Sequence, residues 1–235
     1  MEKLEYLNKY TLDVNKKVEL LTNIEVGDMK EGLIPNEWKI IFQKDNKQEK
    51  IISVLQMWSK YVGKELSNTI AYLKDNLIDV EIMKIGNKYS LLYSINGENN
   101  KVLFYEGRNP KERIMREDLK KDWPNIPNKI REFYENVHSG FYYYASKSMG
   151  LDAYENITYL NDYEWGILEE IELAEVKIDL KSSYGFFSNG MGDYVVIDYN
   201  NCEESNATLW SSKEEPEYNL NFWDVVDEWI VIGFE

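Results

Sequence analysis

The stretch that most restricts the fold is Tyr184–Asn200, where two apolar, strand-like runs surround the turn sequence Ser188–Asp193. Two glycines between such runs are typical either of a phosphate-binding loop or of a hairpin turn. A phosphate-binding loop leads into a helix, whose first amide groups face the anion. Here the residues after Gly192 are β-branched or aromatic, and neither Gly-Lys-Ser/Thr nor GxGxxG is present. The stretch therefore predicts a hairpin, with Gly190 and Gly192 supplying positive φ in the turn.

The first half of the chain has the spacing of helices followed by a meander of strands. Apolar residues recur at helical spacing over Lys50–Val62 and again over residues 66–77. Three strand-like runs follow, separated by Gly86-Asn87 and Asn96-Gly97, which are sequences that favour hairpin turns. We predict a small α+β unit over residues 1–108.

The second half is predicted to begin after a charged connector at residues 109–122 and to fill residues 123–235. Pro127 suits the first turn of a helix, and Gly140 suits the left-handed position that follows its last turn. A second helix is predicted from Phe222, with Asn221 as its N-cap. The fold class predicted for the whole chain is α+β, with a mixed or antiparallel sheet flanked by helices.

Net charge divides the chain unevenly. The total of 27 Lys and Arg against 42 Asp and Glu gives −15, and the whole excess lies after residue 117, because residues 1–117 carry +1 and residues 118–235 carry −16. A strongly negative half opposes direct binding to nucleic acid, whose backbone requires the opposite sign. No apolar run approaches the length of a membrane span. We therefore expect no nucleic-acid or membrane partner, and the single cysteine suits a reducing cytoplasm.

The chain has few residues that are suited to nucleophilic or metal-dependent catalysis. His138 is the only histidine, which removes HExxH motifs and histidine-rich zinc sites, and its predicted helical position favours a packed or partly exposed imidazole over a catalytic base. Cys202 precedes Glu203 and Glu204, and carboxylates raise a thiol pKa, the opposite of what a reactive thiolate needs. We predict no catalytic residue, no metal and no cofactor.

A carboxylate-based hydrolase stays open as an alternative, because such enzymes need only Asp and Glu. The candidates are Asp193 and Asp198, which lie five residues apart in the second strand of the predicted hairpin. An odd separation along a strand directs the two side chains to opposite faces. The pattern therefore argues against a shared catalytic site.

The second half resembles the SUKH superfamily, the group around the fungal cell-wall assembly regulator Smi/Knr and many bacterial immunity proteins. The resemblance covers about residues 118–235 and depends on the order and spacing of several segments. These segments are Ile126–Tyr134, His138–Phe141, Ser148–Leu151, Tyr163–Gly166, Phe187–Tyr194 with Val196–Asp198, Phe222–Asp224 and Trp229-Ile230. The resemblance implies an α+β fold with a mixed sheet and no shared catalytic residues. For bacterial members it implies neutralisation of a cognate toxin, often a nuclease.

Charge and resemblance together predict an acidic protein that binds a toxin with a basic surface. The carboxylates expected around the interface are Glu169, Glu170, Glu203, Glu204, Glu214, Glu215 and Glu217. The aromatic residues offered as an exposed centre are Tyr142, Tyr143, Trp210 and Tyr218, although core packing is favoured for most of them. A scaffold or regulatory module for endogenous partners is the other non-enzymatic reading. The sequence leaves the oligomeric state and the role of residues 1–117 open.

Overall fold

The computed structural model describes residues 2–12, 15–98, 101–169 and 176–235. The side chains of Glu169 and Glu204 and all of Glu170, three of the predicted interface carboxylates, lie outside this description. The described part of the chain is α+β, as predicted, with eight α-helices and an eleven-stranded sheet. No helix in these ranges is both long enough and apolar enough to span a bilayer.

The helices and strands alternate in blocks along the chain. The helices are α1 Lys3–Lys9, α2 Asn23–Gly27, α3 Asn36–Phe42, α4 Lys47–Val62, α5 Ser67–Asn76, α6 Glu117–Asp122, α7 Asn128–Asn136 and α8 Phe222–Phe234. The strands are β1 Val18–Leu20, β2 Leu77–Ile85, β3 Lys88–Asn96, β4 Val102–Arg108, β5 Phe141–Tyr143, β6 Ser148–Leu151, β7 Thr158–Tyr159, β8 Ser183–Ser188, β9 Asp193–Asp198, β10 Asn206–Ser211 and β11 Glu217–Asn221.

The sheet is an antiparallel meander whose order nearly follows the sequence. It runs β1-β2-β3-β4-β5-β6-β8-β9-β10-β11, and β7 pairs with β8 beside β6. β4 and β5, which lie on either side of the predicted connector, pair directly through Glu106 and Tyr142. The division of the chain into two units at residues 109–122 stays a prediction. In the structure, strands from both sides of these residues belong to one sheet.

The main core lies between one face of this sheet and the helices. It takes apolar residues from α3, α4, α5, α7 and α8 and from strands on both sides of residues 109–122. Asp227 of α8 adds a polar connection between the two halves. Its carboxylate accepts hydrogen bonds from the backbone N–H groups of Asn68 and Thr69, at 2.9 and 2.8 Å. These amides begin α5 and have no partner within that helix, so Asp227 caps it from a distant part of the chain.

Two smaller apolar clusters cover the opposite face of the sheet. α1 packs its buried Leu7 against Met83, Leu92 and Phe104. Further along the sheet, Trp165 packs edge-on against Trp210, with ring centroids 5.7 Å apart. Successive residues of one strand therefore place their side chains in different layers, as expected from the period of two in β-strands.

The predicted hairpin is present as β8 and β9. Gly190 and Gly192 have φ of +77° and +107°, and the Asn189 side chain accepts a hydrogen bond from the Met191 backbone at 2.8 Å. A side chain at Gly192 would meet the Ser212 hydroxyl of the adjacent β10–β11 turn at 2.4 Å. Glycine is needed here both for its backbone conformation and for this close approach.

The predicted role of Gly140 as a helix terminator is wrong. α7 ends at Asn136 with Val137 as its C-cap, three residues before Gly140. Gly140 has φ of +126°, and a Cβ atom there would lie 2.7 Å from the Ala153 backbone. It is required where two backbone segments meet, a contact between residues distant in sequence that helix periodicity does not reveal.

Candidate functional site

The predicted carboxylates fall into two groups separated by the length of β10. Glu214, Glu215 and Glu217 are exposed at the β10–β11 turn, beside the hairpin turn. Glu203 is exposed in the connection from β9 to β10, at the opposite end of β10. Five strand steps separate the two ends, which is about 17 Å. The structure therefore places the three turn glutamates together and Glu203 apart from them.

The expectation that Tyr142 and Trp210 are exposed is wrong. Trp210 is fully buried in the cluster around Trp165, and Tyr142 is 2% exposed. Tyr143 is half-buried and its hydroxyl is 2.7 Å from that of Tyr6. Tyr218 is half-buried on the edge strand β11, with the Lys177 ammonium 5.0 Å from its ring centroid. Of the four aromatics, Tyr143 and Tyr218 retain some accessible surface.

Asp193 and Asp198 have separate structural partners at opposite ends of β9. The Asp193 carboxylate accepts a hydrogen bond from the Asn189 side chain within the hairpin turn. Asp198 is buried and accepts hydrogen bonds from the Ser182 hydroxyl and from the Asp179 backbone N–H, the latter at 3.1 Å. Five strand steps place the two Cα atoms about 17 Å apart. The two carboxylates are therefore too far apart to act on one bond.

His138 is fully buried in the core, where the sequence predicted a packed or partly exposed imidazole, but it lies outside the predicted helix because α7 ends at Asn136. Its Nδ1 lies 3.3 Å from the Arg108 carbonyl and its Nε2 lies 2.7 Å from the Tyr93 hydroxyl. Because a carbonyl only accepts, Nδ1 carries the proton and Nε2 accepts from Tyr93. Burial lowers the pKa of His138 to about 3, so the imidazole is neutral at physiological pH. The pKa of the Cys202 thiol is raised, first by burial and then by the charge of Asp198.

A row of three tyrosines lies near the Asp198 end of the hairpin, where sequence reasoning predicted no aromatic cluster. Tyr159 and Tyr184 face each other across β7 and β8, with ring centroids 5.0 Å apart and planes 24° apart. Tyr199 stacks on the other side of Tyr184, at 6.2 Å and 23°. Tyr184 is buried between the two outer rings, which are partly exposed. Antiparallel register produces this stack.

Four aspartates surround the stack. The Tyr184 hydroxyl donates to the Asp122 carboxylate at 2.9 Å. Burial is the main cause that raises the pKa of Tyr159, and the charges of Asp118, Asp122, Asp162 and Asp179 raise it further. The three rings and these four carboxylates form what we call the tyrosine–carboxylate surface.

Arg116 shows how this surface holds a cation. Its guanidinium donates to both carboxylate oxygens of Asp118, at 3.2 and 2.6 Å, and it also bonds Asp162. The same group lies 5.8 Å from the centroid of the Tyr159 ring, within the range of a cation–π contact. The hydrogen bonds to Asp118 and Asp162 raise the pKa of Arg116. Two carboxylates and an aromatic face thus hold one guanidinium.

Comparison with known proteins adds no relative: the chain matches no protein-family model, no curated protein and no solved structure.

Proposed function

We propose that this chain is an immunity protein that binds and neutralises a cognate toxin with a basic surface. The toxin would belong to a bacterial polymorphic or contact-dependent system, and the immunity protein would act in the cytoplasm of the cell that makes it. The proposal is supported by the −15 net charge and by the resemblance of residues 118–235 to the SUKH superfamily. The observation that carries it is the tyrosine–carboxylate surface.

The chemistry of this surface suits arginine and lysine side chains. Aromatic rings at the centre of an interface supply contact area that loses little side-chain entropy, and carboxylates around them pair with cations. Arg116, held by Asp118 and Asp162 over Tyr159, is an example of such a contact within the chain itself. Glu203 follows Tyr199 by four residues and extends the acidic rim at this end of the sheet.

Speed of binding is a second property that the charge supports. Complementary fields raise the association rate of two proteins by about 10- to 1,000-fold at low ionic strength. A toxic nuclease is expected to be basic where it holds phosphates, so an acidic protein can occupy that surface. Fast association benefits an inhibitor that has to act before its target is damaged.

The proposal is tested by capture from the native cells followed by a growth assay. The tagged protein is used as bait, captured proteins are identified by mass spectrometry, and each is expressed with and without the wild-type chain. We expect a basic protein that stops growth when expressed alone and is harmless in the presence of the bait. If the captured partners are acidic or are housekeeping proteins without toxicity, the immunity function is wrong and a regulatory module is favoured.

Two variants with equal change in charge locate the interface. One carries Asp118→Asn, Asp162→Asn and Asp179→Asn, and the other carries Glu214→Gln, Glu215→Gln and Glu217→Gln at the β10–β11 turn. We expect the aspartate variant to lose protection while the glutamate variant retains it, with thermal unfolding confirming that both fold. The reverse result would keep the immunity function and move the interface to the β10–β11 turn.

A further inference from the structure

A polar cavity of about 280 Å³ lies beside the hairpin turn of β8 and β9, on the sheet face opposite the main core. Its lining comes from segments distant in sequence and includes Lys147, Asp152, Thr158, Ser188, Gly190 and Tyr194. Tyr194 packs edge-on against Trp165 of one apolar cluster, with ring centroids 5.7 Å apart. Lys147 lies against Tyr144 of the other cluster on this face. The cavity therefore separates the two clusters, and its volume, just below the roughly 300 Å³ of common ligand pockets, suits a small ligand or the end of one side chain.

Asp152 gives this cavity a buried carboxyl group that lacks a counter-ion. It is 4% exposed, and its Oδ1 accepts a hydrogen bond from the Ser188 hydroxyl at 2.9 Å. None of the described residues donates to Oδ2, and this atom is not one of the fully enclosed polar atoms, so it faces the cavity that Asp152 lines. Burial raises the pKa of Asp152 well above its ordinary value, and only the bond from Ser188 opposes this shift. Buried carboxylates are normally paired, so Asp152 is short of one cation.

Lys147, the cation in the described lining, is already occupied elsewhere. Its ammonium lies 3.1 Å from the Glu106 carboxylate and 3.6 Å from the centroid of the Tyr144 ring. The charge of Lys147 holds the pKa of Glu106 below its ordinary value, although burial opposes this. No cation contributes in the same way to the pKa of Asp152. The carboxyl group of Asp152 is therefore left for a cation from outside the chain.

Two tyrosines are the other titratable groups beside Asp152. The Tyr134 hydroxyl donates to the Asp152 carbonyl at 2.7 Å, and Tyr194 lines the cavity. Burial is the main cause that raises the pKa of both tyrosines, so both hydroxyls are neutral at physiological pH. Near neutral pH, the change of charge in this lining therefore belongs to Asp152.

The remaining chemistry of the lining suits an ammonium group. The Ser188 hydroxyl gives its proton to Asp152, so its oxygen is left to accept a hydrogen bond from a ligand. An ammonium group has three donors and no acceptor, and the aromatic ring of Tyr194 adds a surface for a cation. Calcium and magnesium ions take about six or more oxygen ligands, whereas the described residues contain no cluster of three metal-ligating side chains. The pattern favours an organic cation over a metal ion.

We propose that this cavity binds a primary ammonium group, of a small free amine or of a lysine side chain, with Asp152 as its counter-ion and Ser188 as a second acceptor. Hydrogen bonds between an ammonium and a carboxylate are charge-assisted and stronger than those between neutral groups. A bound cation favours the ionised form of Asp152, so binding lowers the pKa of this carboxyl and the affinity rises with pH. The site shares no residue with the tyrosine–carboxylate surface and does not depend on the proposed immunity function.

The test is an NMR titration of the full chain with propylammonium chloride at pH 6 and pH 8. Ionic strength is kept constant with sodium chloride, and 1-propanol is the control ligand of similar shape without charge. We expect saturable shifts of the Asp152 side-chain carboxyl signal and of the Ser188 amide signal with propylammonium, tighter binding at pH 8, and no such shifts with 1-propanol. The titration is repeated with a lysine whose backbone amino and carboxyl groups are blocked. Tighter binding of the blocked lysine than of propylammonium assigns the site to a side chain of a partner, and weaker binding assigns it to free amines.

Asp152→Asn is the diagnostic variant, because it keeps the size of the side chain and removes its charge. We expect it to weaken the binding of propylammonium at pH 8 by at least about tenfold, the effect of losing one hydrogen bond to a charged group. Glu214→Gln removes one negative charge at the exposed β10–β11 turn and should leave the affinity unchanged. Thermal unfolding confirms that both variants fold.

Ser188→Ala supplies a second, independent readout. It removes the hydrogen bond that favours the ionised form of Asp152, so the affinity should rise only at higher pH than in the wild type. The proposal is overturned if propylammonium gives no saturable shifts, if 1-propanol binds equally well, or if Asp152→Asn binds as the wild type does.

Discussion

The buried imidazole of His138 makes the stability of the fold depend on pH in a calculable way. The ring is fully buried, and Trp58 donates to the same Tyr93 hydroxyl that bonds its Nε2. Burial lowers the pKa to about 3 from 6.5. The unfolded chain therefore takes up this proton near pH 6.5 and the folded chain only near pH 3. Between these values the unfolded state binds more protons, so stability falls as the pH falls.

The size of the effect follows from the two pKa values. Each pH unit between the two pKa values lowers the free energy of unfolding by about 1.4 kcal/mol. The effect is smaller close to pH 6.5, where the unfolded state is only partly protonated. Between pH 7 and pH 5 the linkage to His138 lowers the free energy of unfolding by about 2 kcal/mol. This is a large share of the free energy of unfolding of a typical domain, which is about 5–15 kcal/mol.

The assay compares the wild type with His138→Phe, which keeps an aromatic ring and removes the titrating group. Urea unfolding is followed by tryptophan fluorescence at pH 7 and pH 5. The variant is expected to be about 1–3 kcal/mol less stable at pH 7, because Tyr93 and the Arg108 carbonyl lose a partner. Its loss of stability between pH 7 and pH 5 should be about 2 kcal/mol smaller than that of the wild type. Equal losses in the two proteins would refute the argument.

Two further predictions concern buried carboxyl groups. Asp227→Ala should lower the free energy of unfolding by about 2–4 kcal/mol, because it leaves the first amides of α5 unpaired, whereas the exposed neighbour Glu228→Ala should change it by about 0.5 kcal/mol or less. Equal effects in urea unfolding at pH 7 would contradict this capping role. Burial raises the pKa of Asp152, so the stability that it contributes is present below pH 3.8 and lost as the pH rises through its folded pKa. Asp152→Asn should therefore unfold at a higher urea concentration than the wild type at pH 8 but not at pH 3.5. If the variant is no more stable than the wild type at pH 8, this prediction is wrong.

Local sequence signals were sufficient for the elements whose contacts are near in sequence. The hairpin of β8 and β9 is such a case, since its glycine turn and flanking β-branched residues specify it together. α8 is another, because Asn221 accepts hydrogen bonds from the Trp223 and Asp224 backbone amides as its N-cap position predicted. In both cases turn or cap chemistry agrees with the hydrophobic period.

The candidate site could not be predicted in the same way, because long-range register creates it. Tyr159 and Tyr184 lie 25 residues apart and meet only through the pairing of β7 with β8. Tyr142 and Trp210 were offered as interface aromatics because of their residue type, yet both are buried on the sheet face opposite the main core. The pattern of helices that cover the main core gives no sign that this second face is also covered. The predicted carboxylates were mostly doublets of glutamate, while the aspartates around the stack are isolated residues from three separate segments, with Asp118 and Asp122 both in α6.

The central claim is that a folded anionic surface binds a cationic toxin without covalent chemistry, and its most direct test is the association rate as a function of salt. Stopped-flow fluorescence with the toxin identified by capture would give this rate for the wild type and for the variant with Asp118→Asn, Asp162→Asn and Asp179→Asn. We predict that the wild-type rate falls by about tenfold or more as ionic strength rises from low to physiological values, and that the variant associates more slowly with a weaker dependence on salt. A rate that is independent of salt, or equal in the two proteins, would contradict the account.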